Sequence, residues 1–177
     1  MKKNLTKIVL ATMIAAAPMA ASDFTYSTNS LFALEGGYSS LNDTSAGGRY
    51  YGKTDDFGSY GLKIGAESKN YRIFAQANYH DIKDFDYAYT YGAALQYKFN
   101  FADSANFFIG INGGYADMKI RTLNVSDPYF GGDAGFNYHA SELIDLELAA
   151  RLMKINNDAI DNIVTGYASI IFKYQMD

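Results

Sequence analysis

The sequence predicts one all-β domain, an eight-stranded antiparallel up-and-down transmembrane β-barrel. Three observations lead there. Apolar and polar or small residues alternate with period two through most of the chain after residue 30. Aromatic residues gather at the ends of the apolar face of those runs. No later stretch approaches the ~20 apolar residues that a membrane-crossing helix needs, so any span must be built from strands. The composition agrees, with 16 Tyr, 12 Phe and 16 Gly but only 2 Pro in 177 residues.

The first 22 residues are set apart. Lys2, Lys3 and Lys7 make a basic start, Ile8 to Ala17 is apolar apart from Thr12, and Ala20, Ala21 and Ser22 are small. That order is the signature of a secretory signal peptide. Residues 1–22 are therefore expected to be a signal peptide, and residues 23–177 an outer-membrane β-barrel domain. Without them the chain carries 12 Lys and Arg against 19 Asp and Glu. An acidic excess of this size argues against nucleic acid as a partner. The chain has no Cys, which excludes disulfides, Cys-held metals and a lipid anchor on a cleaved Cys.

Eight runs follow in order. Leu31 to Ser40 sets Phe32, Leu34 and Tyr38 against Ala33 and Glu35. Tyr60 to Ser68 sets Tyr60, Leu62, Ile64 and Ala66 against Lys63 and Glu67. Tyr71 to His80 sets Ile73, Ala75 and Tyr79 against Arg72, Gln76 and Asn78. Tyr87 to Phe99 sets Tyr89, Leu95, Tyr97 and Phe99 against Thr90, Gln96 and Lys98. In the second half, Asn106 to Ala116 sets Phe107, Ile109 and Ile111 against Gly110 and Asn112. Tyr129 to His139 sets Phe130, Phe136 and Tyr138 against Asp133 and Asn137. Leu143 to Ile155 sets Leu146, Leu148 and Leu152 against Asp145, Glu147 and Arg151. Asn162 to Tyr174 sets Val164, Ile170, Phe172 and Tyr174 against Thr165, Tyr167 and Ser169.

The connectors alternate. Residues 41–59 and 117–128 read as long loops, 81–86 and 156–161 as shorter polar ones. Residues 69–70, 100–105 and 140–142 read as turns. Membrane barrels pair short periplasmic turns with longer outer loops. The long segments 41–59 and 117–128 are the expected sites of contact with an extracellular partner, whose identity is unknown. A two-residue turn at Lys69 and Asn70 would also place Glu67 opposite Arg72 on the inner side.

Alternation alone also fits a soluble barrel. The polar face decides the matter, because it carries small residues and few charges: Glu35, Lys63, Glu67, Arg72, Lys98, Asp133, Asp145, Glu147 and Arg151. Four cations against five anions suit a narrow lumen filled by mutually neutralising side chains, a structural polar network. On the apolar face, Tyr38, Tyr60, Tyr79, Tyr87, Tyr89, Tyr115 and Phe130 fall at one rim. Tyr71, Tyr97, Phe99, Phe107, Tyr138, Phe172 and Tyr174 fall at the other, with aliphatic residues between. Tyrosine carries an apolar ring and a hydroxyl that prefers the headgroup layer, so two girdles mark a lipid-facing wall. An open edge would leave backbone groups unpaired in lipid, so the sheet must close.

With these features the chain resembles the small eight-stranded outer-membrane proteins of OmpA/OmpX type. The stretch Gly166 to Tyr174 is similar to their C-terminal insertion signal of spaced aromatics, and departs from it in continuing with Gln175, Met176 and Asp177. The resemblance implies outer-membrane lipid, lipopolysaccharide, periplasmic chaperones and the barrel-insertion machinery as partners. It implies a structural or surface-interaction role, with a narrow porin-like channel as the alternative.

Little reactive chemistry is legible. No cofactor or metal site is expected, because neither His has metal-ligand spacing. His139-Ala140-Ser141 resembles the His-x-Ser motif of the outer-membrane lipid A deacylases. It falls at an expected periplasmic turn and on the inward parity, which is the wrong end and the wrong face for a lipid substrate. No catalytic residue is assigned. His80, beside Asp81 and Asp84, reads as part of a solvated loop.

Overall fold

The computed structural model describes residues 29–42, 55–83, 85–120, 123–156 and 160–175. The expected signal peptide and most of the first long loop lie outside these residues. Eight strands form one closed antiparallel barrel in which each strand pairs with its neighbours in sequence. They are β1 (Asn29–Asn42), β2 (Asp55–Glu67), β3 (Tyr71–Asp81), β4 (Tyr87–Ala102), β5 (Ala105–Ile120), β6 (Leu123–His139), β7 (Ile144–Ile155) and β8 (Asn162–Gln175). Pairing of β1 with β8, from Asn29 opposite Gln175 to Asn42 opposite Asn162, removes the last sheet edge.

The register fixes the shape. The ladder leads from Asn29 through Glu67, Arg72, Gln96, Gly110, Asp133, Arg151 and Thr165, and returns to β1 at Ser39. One circuit thus climbs ten residues along the first strand. With ~3.3 Å rise per residue and ~4.8 Å between strands, that stagger tilts the strands by roughly 40° from the barrel axis. A cylinder of eight strands is narrow, so its interior must be filled by side chains.

Side-chain parity sorts the two faces. Leu34, Leu62, Ile64, Leu95, Ile111 and Leu148 are exposed on the outside, Leu148 to 68%. Lys63, Arg72, Glu147 and Arg151 lie inside, each at most 2% exposed. A water-soluble barrel would have the reverse. Both aromatic girdles form. At one rim Tyr79 packs on Tyr89 at 5.3 Å between ring centroids, and Tyr91 stacks on Tyr115 at 6.3 Å. At the other, Tyr71 meets Tyr97 edge-on at 5.1 Å, and Phe107 meets Phe136 at 5.2 Å.

Several expectations need correction. Residues 117–120 and 123–128 are strand, not loop. Asp117 pairs with Ser126, Met118 with Val125, Lys119 with Asn124 and Ile120 with Leu123, which extends the β5–β6 hairpin to 16 and 17 residues. The cause is the continued alternation of inward Ala116, Met118 and Val125, hidden in the sequence by the polar outward residues among them. Residues 55–59 likewise belong to β2. The connectors between odd and even strands are therefore not uniformly long. His80 is not solvated. It is 2% exposed, because β3 parity turns it into the barrel mouth.

The lumen places its glycines where neighbouring strands crowd. A Cβ on Gly131 would collide with the Leu152 carbonyl oxygen, whereas a Cβ on the outward Gly166 would meet nothing within 4 Å. Gly131→Ala should therefore lower the urea midpoint of the folded barrel, at a cost of about 1–3 kcal/mol. Gly166→Ala should leave it unchanged within error.

Candidate functional site: the barrel lumen

The lumen divides into layers along the axis. At the end that carries the β2–β3, β4–β5 and β6–β7 turns, here the turn end, Lys98 Nζ lies 2.7 Å from Glu67 Oε2, and Lys173 Nζ lies 2.8 Å from Asp145 Oδ1. The same Asp145 oxygen is 2.7 Å from His139 Nδ1, and Asn106 Nδ2 meets His139 Nε2 at 3.1 Å.

Above this layer sits a lattice of buried ions. Glu147 is its hub. Lys63 Nζ donates to Glu147 Oε1 at 2.7 Å, Arg72 Nη2 donates to Glu147 Oε2, and Ser169 Oγ donates to Oε1 at 3.3 Å. Lys63 also reaches Glu35 Oε2 at 2.8 Å. Arg151 closes on Glu35 with both Nη1 and Nη2, at 2.8 and 2.9 Å. Arg72 Nε donates to Gln96 Oε1 at 2.7 Å, and Gln96 Nε2 donates onward to Asp133. Aromatic faces insulate the cations. Lys63 Nζ and the Arg151 guanidinium each lie 4.4 Å from the Tyr167 ring centre, and the Arg72 guanidinium lies 4.8 Å from that of Phe108. Such contacts are worth most where water is excluded.

Higher again, hydroxyls take over. Ser39 Oγ bonds Ser59 Oγ at 2.5 Å and Thr165 Oγ1 at 2.7 Å. His80 spans Ser59 through Nδ1 at 2.8 Å and Thr90 through Nε2 at 2.9 Å. The far end, here the loop end, is apolar. Leu41, Phe57, Ala88, Met118, Val125, Tyr129, Met153, Ile155 and Ile163 pack into one buried cluster. Ile82 and Ile160 join it from the connectors after β3 and β7.

All nine charged positions singled out in the sequence face this interior and are buried. The structure brings Glu35, Lys63, Arg72, Glu147 and Arg151 into one continuous network and keeps Glu67 with Lys98 as a separate pair. Asp133 meets Gln96 rather than a cation. Glu67 and Arg72 stand opposite in register, as the two-residue turn requires, but each takes another partner. Sequence reasoning missed Lys173, whose inward parity on β8 is continuous with Thr165, Tyr167 and Ser169. It also missed the hydroxyl layer and the apolar cluster, both of which follow from extending the inward parity to the strand ends.

The His139 to Ser141 stretch lacks the geometry of an activated nucleophile. Both ring nitrogens of His139 are engaged, by Asp145 and Asn106, while Ser141 Oγ accepts from the Leu143 amide at 3.3 Å. Among the described residues no group of three or more His, Asp or Glu is arranged to hold a metal ion.

A closed eight-stranded wall with an aliphatic band, two aromatic girdles and an ion-filled interior defines the fold of the small outer-membrane barrels. No protein-family model and no curated protein sequence matches the chain. Solved structures do. Neisserial surface protein A superposes with a TM-score of 0.69 at 13% identity, over 82% of this chain and 97% of that one. The N-terminal β-barrel domain of Pseudomonas aeruginosa OprF gives 0.60 at 8% identity, over 82% and 98%. Ail, the attachment invasion locus protein of Yersinia pestis, gives 0.53 at 11% identity, over 85% and 100%. At such identities the likeness is one of fold.

The lattice makes a stability prediction. Glu147→Ala strands the buried Arg72, takes from Lys63 one of its two carboxylates, and should cost about 3–5 kcal/mol in reversible unfolding from detergent or bilayer. Glu67→Met should also destabilise. Adding Lys98→Met should recover most of that loss, because an apolar pair of similar size replaces a buried ion pair at little cost.

Proposed function

We propose that this chain is an integral protein of the bacterial outer membrane with a closed lumen, acting structurally or in surface interaction at its loop end, rather than as a pore or an enzyme. The observation that carries the proposal is the apolar cluster at the loop end. A conducting pore needs a wetted path, and here the ion lattice is overlaid by side chains of every strand but β3, with Ile82 and Ile160 folded in from the connectors. The aliphatic outer band between two aromatic girdles supports the membrane location. The fold shared with outer-membrane proteins is consistent with it, and the attachment function in the name of Ail supports a surface-interaction role.

The loop end then faces outward, and the contact surface lies at that end, beside Ile82 and Ile160. Lipid and lipopolysaccharide surround the wall. The spaced aromatics of Gly166 to Tyr174 are what chaperones and insertion machinery would read during biogenesis. The engaged nitrogens of His139 support a non-enzymatic role.

Three measurements test this. Unboiled membrane fraction should migrate differently from boiled on a gel, since a closed barrel resists detergent. Purified protein in planar bilayers should show no reproducible open state, and a stable conductance step would overturn the closed-lumen reading in favour of a channel. Leu148→Arg, which places a charge in the middle of the aliphatic band, should destabilise the bilayer-embedded barrel by about 2–4 kcal/mol. A neutral effect would mean that this face is wetted by water.

A further inference from the structure

Within the aliphatic band every strand edge is paired, but at the loop end β6 outgrows its neighbour. Its ladder with β7 stops at Tyr129 opposite Ile155, whereas its ladder with β5 continues to Leu123 opposite Ile120. The last backbone contact on the β7 side is the Asn156 amide, which donates to the Pro128 carbonyl at 2.9 Å. Alternate residues of a strand point their backbone groups to the same side, so the amides and carbonyls of Ser126 and Asn124 face this open side too. No described residue pairs with them there. Both residues are exposed. Ser126 stands beyond Phe130 of the girdle by roughly 10 Å along the barrel axis. Pro128, which has no N–H, bounds the edge on the membrane side. The charge beside the edge is one-sided. Asp117 lies opposite Ser126 on β5 and makes no ion pair among the described residues. Lys119, the next cation along that strand, is held by Asp86 at 3.3 Å. Asp56, Asp81 and Asp86 are exposed at the same end of the barrel.

We propose that this edge takes an extended segment of another protein as an added strand, with a Lys or Arg of that segment set against Asp117. The inference names a partner class for the surface-interaction role given above and rests on it. An incoming antiparallel strand finds the N–H and C=O groups of Asn124 and Ser126 in one line, the set from which strand addition draws its hydrogen bonds. Its residue opposite Ser126 comes to lie in one row with Ser126 and Asp117. Two strand spacings, or roughly 10 Å between Cα atoms, then separate it from Asp117. Only the short Ser126 side chain stands between, so a long cationic side chain reaches the carboxylate and an acidic one is repelled. A second copy of the barrel in the same membrane does not fit. Two identical edges pair antiparallel about an axis normal to the sheet, which here lies in the membrane plane and would turn one barrel upside down. Two acidic loop ends would also repel each other.

A contact of so few bonds is weak, so covalent capture reads it best. The full chain is folded in a zwitterionic detergent and checked by its heat-dependent gel migration. Two short peptides serve as probes, one alternating lysine with valine and the other glutamate with valine, each with a photoreactive leucine in place of the central valine. After irradiation the labelled protein is weighed and the label located by mass spectrometry. The lysine peptide should label the stretch from Asn124 to Pro128, about threefold more than the glutamate peptide at low ionic strength and with a smaller margin in high salt. Ser126→Pro removes an edge N–H at a position where an edge strand tolerates proline, and should abolish the label. Asp117→Asn should bring the two peptides towards parity. Each variant should keep the heat-dependent migration of the parent. Equal labelling by the two peptides, or labelling that survives Ser126→Pro, overturns the proposal. So does labelling by neither, which would mean that the chain or a second copy already covers the edge. A parent chain that never shows heat-dependent migration overturns the membrane reading itself, which a failure to capture peptide leaves standing.

Discussion

Closure of the backbone ladder is the constraint on which the rest depends. In hydrocarbon an unpaired amide or carbonyl has no water to turn to, so a sheet can sit there only if its first and last strands meet. Here β1 and β8 pair over their whole length, from Asn29 with Gln175 to Asn42 with Asn162. The circuit closes ten residues out of step, which fixes the tilt and hence the bore. The narrow bore in turn forces ionic side chains inside into contact with one another. Glu35, Lys63, Glu147, Arg72 and Arg151 are thus a consequence of the same geometry that excludes lipid from the interior.

A lattice of this kind is a weak source of net stability and a strong source of uniqueness. Taking ions out of water costs about as much as their mutual attraction returns. What the pairing does is penalise every other register. A slip of one residue in β7 would turn Glu147 and Arg151 towards the acyl chains, leave Arg72 without its carboxylate, and reduce Lys63 and Glu35 to each other. The glycines complement this, as at Gly131, where any side chain would strike the neighbouring strand.

Much of this was legible from residue order alone, because period two has a single physical meaning in a sheet. The outward placement of Leu34, Leu62, Ile111 and Leu148 and the inward placement of Lys63, Arg72 and Glu147 follow directly from alternation. Partner choice did not. Arg72 and Glu147 are 75 positions apart and meet across the lumen, so only the finished register brings them together. The ends of strands were the other blind spot. Asp117 and Lys119 read as loop because they are charged. Outward residues standing beyond the hydrocarbon are free to be charged, while Met118 and Val125 continue the inner face unseen. His80 was misread for the same reason: its neighbours in sequence are acidic, but its neighbours in space are Ser59, Thr90 and Phe57.

The balanced interior bears on how the molecule meets its surroundings. With Lys173 included, the buried charges are five cations and five anions, so the acidic excess of the chain is displaced to its two mouths and connecting segments. The field that another surface feels therefore comes from the rims alone. It is strong at low ionic strength, and at physiological salt it fades within about 8 Å. Dissolved counter-ions, above all divalent ones, thereby set how near a phosphate-bearing surface or a second copy of the barrel can approach.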